Sequence, residues 1–114
     1  MIRMLLLLLA LAGAPLAQAH HGWSAYDSQR VLTLETEIRA VRYRNPHAEL
    51  TIEHEGRAWR VILAPLSRLH SRGLPEGDLR PGQTVTLVAY PRKDGTAELR
   101  AERITVDGRT IELR

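Results

Sequence analysis

Five histidines and no cysteine frame the chemistry open to this 114-residue chain. The histidines are His20, His21, His47, His54 and His70. Without cysteine, every thiolate is removed from the possible metal ligands. Neutral imidazole suits Cu, Zn and Ni, and copper(II) heads the divalent affinity order. Two of the five are adjacent, in "AQAHHGW", directly after a small-x-small triplet at residues 17–19 that has the form of a signal-peptidase site. A cut after Ala19 makes His20 the new N-terminus. Its amine then titrates near pH of about 8, low enough for a metal to displace the proton close to neutrality. Amine and Nδ1 belong to one residue, so the chelate ring is largely prearranged. One more imidazole completes a T-shaped three-nitrogen set, which copper(II) accepts.

His47 is the strongest candidate for that third nitrogen. It lies 27 residues after His20 and follows Asn45-Pro46, which restricts the local backbone. The alternative is a solvent-facing histidine at the start of a strand. His21 joins the same metal only if the terminus curls, because neighbours in an extended chain point oppositely; otherwise it pairs with Tyr26 or Asp27. Tyr26 and Asp27 suit an axial or outer position, since ligating histidines donate their other N–H to carboxylates. Equally, with Trp23, they pin the N-terminal segment onto the fold. His54 falls on the inward phase of a strand, a partly covered side chain. His70 falls late on a short helix, where the helix dipole accounts for it.

Other chemistries lack their residues. The serines sit in turn or helix contexts without a nucleophile signature, and no phosphate-cradling glycine loop, zincin motif or EF-hand spacing occurs. The paired carboxylates Glu35/Glu37 and Glu53/Glu55 fall on outward phases, so no enzyme is expected.

The elements that must position these groups follow from the period. Residues 31–44 alternate Leu32, Leu34, Thr36 and Ile38 against Thr33, Glu35, Glu37 and Arg39, then slip phase at Ala40-Val41, as a bulge in a long bent strand would. Asn45-Pro46-His47 breaks that strand. Ala48, Leu50 and Ile52 alternate inward, Glu55-Gly56 signals a hairpin, and Trp59, Val61 and Leu63 return. The period then lengthens through Leu63, Leu66, Leu69 and Leu74, with Pro65 first and Gly73 last, the asymmetry of a short helix. Pro81-Gly82, Asp94-Gly95 and Asp107-Gly108 divide the remainder into "TVTLVAY", "AELRAERITV" (a second phase slip near Arg103) and a closing "TIEL".

Three strands, a helix, two strands and an extension predict an all-β domain with one short helix. The expected form is a small five- to six-stranded OB-like antiparallel barrel, with a β-sandwich or meander as the alternative. The domain plan is a signal peptide over 1–19, an N-terminal segment over 20–30 and the barrel over 31–114. The leader's apolar run, residues 4–12, is shorter than the roughly 20 residues a membrane span needs. No membrane span is expected after cleavage, and the location expected is the periplasm. With Arg3 in the leader, 15 basic and 13 acidic residues remain, a net charge of +2 that implies neither nucleic acid nor a membrane surface. Glutamates on the second strand and only five aromatic residues further exclude nucleic acid.

"AHHGWSAYD", "NPH", "LAPLSRLHSRG" and "LRPGQTVTLVAYPRKDGTAELRAERI" together resemble a family of short exported bacterial proteins of unknown function. That resemblance implies an envelope location and a small β-barrel, and it brings no established activity. At His20 alone, the chain resembles the copper histidine-brace proteins, whose terminal amine and imidazole chelate the metal. Two functions are therefore expected. One is non-enzymatic copper sequestration or delivery by His20 with His47 and His21. The other is an interaction module for an envelope protein, peptide or small ligand, with Arg39, Arg42, Arg44 and Arg60 outward and the histidines incidental.

Overall fold

The computed structural model describes residues 22–114, so the leader, His20 and His21 lie outside the described residues. The described chain forms one mixed sheet with a single short helix. Its elements are β1 (Leu32–Glu37), β2 (Ala40–Arg42), β3 (Glu49–His54), β4 (Arg57–Ile62), α1 (Leu66–Ser71), β5 (Thr84–Pro91), β6 (Glu98–Val106) and β7 (Arg109–Glu112). The strands pair in the order β1-β5-β6-β4-β3-β2, and β7 adds to β6.

Two features depart from the expected five to six antiparallel strands. The long first strand is divided, because its backbone changes partner at Ile38-Arg39. Ile38 N–H donates to Gln83 at 2.8 Å on the β5 side, and Arg39 N–H donates to Thr51 at 2.8 Å on the β3 side. That exchange is the physical content of the phase slip: Ile38 is fully buried, whereas Arg39 and Ala40 both face solvent. The second departure is a parallel pair, residues 60–62 of β4 against 98–100 of β6. A parallel neighbour requires a crossover, here supplied by α1 and β5. Side-chain alternation carries no information about strand direction, so the sequence pattern reads the same either way.

The second phase slip is a bulge. Val88 pairs with Arg103 and Ala89 with Ala101, which leaves Glu102 as the extra residue on β6. Its carboxylate accepts the Tyr90 hydroxyl at 3.0 Å. Glu55-Gly56 and Asp107-Gly108 have positive φ at both positions, the backbone that two-residue hairpins demand. α1 starts after Pro65 and ends at Ser71 with Arg72 as its C-cap; Gly73 (φ +82°) follows, and Leu74 N–H bonds back to the Leu69 carbonyl at 2.8 Å.

The core follows the predicted phases over residues 48–63, where Leu50, Ile52, Val61 and Leu63 are essentially without exposure, and Leu87, Leu99 and Ile104 of β5 and β6 complete it. Leu69 of α1 and the loop residues Leu74 and Leu79 join the same cluster. Burying each such side chain contributes roughly 1.5–3 kcal/mol. No described helix is long and apolar enough to cross a membrane.

Candidate functional site

The segment before β1 is fastened to the sheet by backbone and aromatic contacts. Trp23–Ala25 makes one 3-10 turn, after which Tyr26 forms an antiparallel bridge with Arg92. Asp27 N–H donates to Pro91 at 2.8 Å, and Lys93 N–H donates to Ala25 at 3.0 Å. The Trp23 indole has the Arg114 guanidinium 4.6 Å and the Arg100 guanidinium 4.9 Å from its ring centre, with Tyr90 edge-on at 5.9 Å. Guanidinium groups over an indole face are attracted by its quadrupole. Trp23 therefore pins this segment.

Beneath it, Tyr26 donates its hydroxyl to Glu98 Oε2 at 2.6 Å. Glu98 and Arg100 are buried, 9 % and 8 % exposed. They alternate along β6 with the core residues Leu99 and Ala101, on the face away from the core. Leu99 and Ala101 face the core, and Glu98 and Arg100 are covered from outside by the Tyr26–Trp23 segment. Four consecutive buried residues result.

These groups wall a cavity of about 160 Å³. Tyr26, Glu98, Arg100 and Arg92 line it together with Arg60, which the parallel register places opposite Glu98. The remaining polar wall is His47, from the loop between β2 and β3, and the cavity reaches Gly22, the first described residue. Arg60 Nη2 lies 3.0 Å from Glu49 and its Nε lies 3.6 Å from Glu98. Arg92 spans Glu98, at 3.3 Å, and Asp94, at 3.1 Å. Arg60 and Arg92 are thus each paired with carboxylates.

Burial first, and then the hydrogen bond to Glu98, push the Tyr26 phenol up to about 12. Tyr26 therefore stays protonated near neutrality and serves as a donor. Burial likewise draws Arg100 below its ordinary value. The Asp94 carboxyl is held well below the usual carboxylate range by hydrogen bonds from Arg92 and then from Thr96.

The structure brings two of the sequence-predicted site residues to this cavity, His47 and Tyr26. His20 and His21 precede Gly22, outside the described residues. Asp27 is not in the cavity wall; its Oδ1 accepts Gln29 N–H at 3.0 Å in a local turn. His54 is half-buried with its ring against the edge of Trp59. His70 is exposed beside the Tyr43 ring. Glu35, Glu37, Glu53 and Glu55 are all exposed. Among the described residues no group of three or more His, Asp or Glu side chains is placed to hold a metal. Sequence reasoning missed Glu98 and Arg100. The available signal was indirect: an aromatic pair, Trp23 and Tyr26, whose polar edges need partners when they pack.

A fold of one mixed sheet with a fastened N-terminal segment and a charged cavity defines a class by its architecture. The family described as "Family of unknown function (DUF6152)" matches residues 7–100, and the chain belongs to it. No curated protein matches the chain.

Proposed function

We propose that the protein is a small exported metal-binding protein, copper being the metal, that sequesters or delivers the ion without turnover. His20 supplies its terminal amine and Nδ1 after cleavage behind Ala19, and His47 supplies the third nitrogen. The observation that carries this reading is that Gly22 and His47 line one cavity. His20 is two positions before Gly22 in the sequence, a chain length of at most about 7 Å. His21 lies within the same reach. The donor set fits copper(II), which favours nitrogen ligands in a planar arrangement. Tyr26, protonated and bonded to Glu98, acts here by holding the wall of the site.

The same proposal includes a periplasmic location and an OB-like barrel. The two ends of the strand path, β1 and β2, are consecutive in the chain, and the two residues between them bond to opposite neighbours. That connection supports a sheet rolled upon itself in the OB manner.

The test uses protein with an authentic His20 terminus, established by mass spectrometry of the exported product. Copper(II) is titrated by calorimetry and EPR. Equal binding by a variant extended by one alanine ends the brace reading. An unchanged affinity and spectrum in His47→Ala removes that residue from the site.

A second reading rests on a groove of about 570 Å³ lined by Arg42, Asn45, Pro46, His47, Glu49 and Arg60. It supports an interaction module for an envelope protein, peptide or small ligand. A partner retained equally with and without a chelator, and released by Arg42→Glu, favours that reading over the first.

A further inference from the structure

The cavity beneath the Tyr26 segment carries an excess of positive charge in its own wall. Arg60, Arg92 and Arg100 line it, and Glu98 is the one carboxylate lining it among the described residues. Glu49 and Asp94, which pair with Arg60 and Arg92, stand outside that wall. Arg100 is 8 % exposed and lies against the Trp23 ring, so its charge acts through protein more than through water. Arg92 is engaged on all three nitrogens, with Nη1 on Glu98 and with Nε and Nη2 on Asp94. Arg60 is different. It meets Glu49 through Nη2 and Glu98 through Nε, the latter at 3.6 Å, longer than a hydrogen bond. Those contacts leave Nη1 with its N–H donors, on a side chain that is 56 % exposed and has room to turn. The groove of about 570 Å³ shares His47 and Arg60 with the cavity.

We infer that the cavity receives the carboxylate of a small organic acid, that Arg60 binds it, and that the adjoining groove holds the organic body. The inference rests on the second reading above, a module for a small ligand, and needs neither the His20 amine nor a metal. A guanidinium edge matches a carboxylate in plane and spacing, and such charge-assisted pairs are the stronger hydrogen bonds. Arg92 and Arg100 add charge around the same partly covered space, where an anion gains more than in open water. Glu98 discriminates between anions. It stays in the wall, held by Tyr26 at 2.6 Å and Arg92 at 3.3 Å, and repels a phosphate dianion more than a singly charged carboxylate. In the groove, the Pro46 ring and the aliphatic stems of Arg42 and Arg60 offer the organic body apolar surface.

Butyrate is the probe, titrated by calorimetry into the exported protein with its authentic terminus at fixed ionic strength. Metal is removed first and the chelator dialysed away, because common chelators are themselves carboxylates. Saturable binding that neutral butyramide does not reproduce is expected. Arg60→Gln, at an exposed position, should weaken butyrate about tenfold. Arg80→Gln removes the same charge at an exposed position outside the cavity and should leave the affinity unchanged. Glu98→Gln keeps an acceptor for Tyr26, removes the opposing charge and should tighten butyrate roughly threefold. The inference is overturned by an absence of saturable binding, by wild-type affinity in Arg60→Gln, or by an equal loss in Arg80→Gln. A folded Glu98→Gln that fails to tighten butyrate also overturns it. If Glu98→Gln does not fold, the two arginine variants decide alone. Tighter binding of inorganic phosphate than of butyrate overturns the carboxylate class. Release of a captured partner by Arg42→Glu without butyrate binding sinks the carboxylate site and leaves the module reading; absence of both sinks the two together.

Discussion

Replacing Tyr26 by phenylalanine removes a single hydroxyl and with it the 2.6 Å bond to Glu98 Oε2. A hydrogen bond to a charged acceptor is worth roughly 1.5–3 kcal/mol when its partner is left behind. Glu98 retains Arg92 at 3.3 Å, so the lower half of that range applies, about 2 kcal/mol. For a domain of this size that lowers Tm by roughly 10 °C. The same pair predicts a pH signature. The phenol is raised to about 12 in the folded protein, against an ordinary value near 10. The folded state then holds a proton that the unfolded state has lost between those two values, so stability falls with rising pH across that window. The contribution is fully present below pH of about 10 and is lost as the pH rises through about 12, a total on the order of 3 kcal/mol. Urea unfolding of metal-free wild type and Tyr26→Phe, in chelator, at pH 7, 9, 10 and 11 measures both effects. Tyr43 and Tyr90 are also raised, but they titrate in both proteins and cancel in the comparison. The gap between the two proteins should be widest at pH 7 and close as the pH climbs past 10. A gap below about 0.5 kcal/mol at pH 7, or one that stays constant to pH 11, refutes the reasoning.

The other expectations concern packing and the choice of histidine. Trp23→Ala removes two guanidinium contacts and an edge-on tyrosine, so it should cost about 2 kcal/mol in thermal unfolding, and Trp23→Phe should recover part of that. Gly73→Ala, at φ +82°, should lower stability by about 1 kcal/mol through backbone strain, since its Cβ would meet Arg109 only at an ordinary contact distance of 3.9 Å. Leu87→Ala, in the centre of the core, should cost about 2–5 kcal/mol by chemical denaturation. His54→Gln and His70→Gln should leave the copper(II) titration unchanged, because neither lines the His47 cavity. A weakened titration in either would redraw the ligand set.

What the sequence by itself determined is local, because its causes are local. Alternation placed Leu50, Ile52, Trp59, Val61 and Leu63 inward, and all five are buried. Pro65 and Gly73 bounded α1 because each has a backbone requirement of its own. The phase slips marked the β1–β2 division and the bulge at Glu102, since an extra residue in a strand inverts the faces beyond it. Tertiary structure decided the rest. Period-2 alternation is the same for either strand direction, so only the assembled sheet shows β6 parallel to β4 and sets Arg60 opposite Glu98. Glu98 and Arg100 are charged strand residues that no local pattern in the sequence marks as covered. They are buried because a segment more than 70 residues earlier in the chain folds across them. His47 could be singled out from Asn45-Pro46-His47. Its place in the wall of a cavity that Gly22 also lines is a fact of three dimensions, because the two lie 25 positions apart in the sequence.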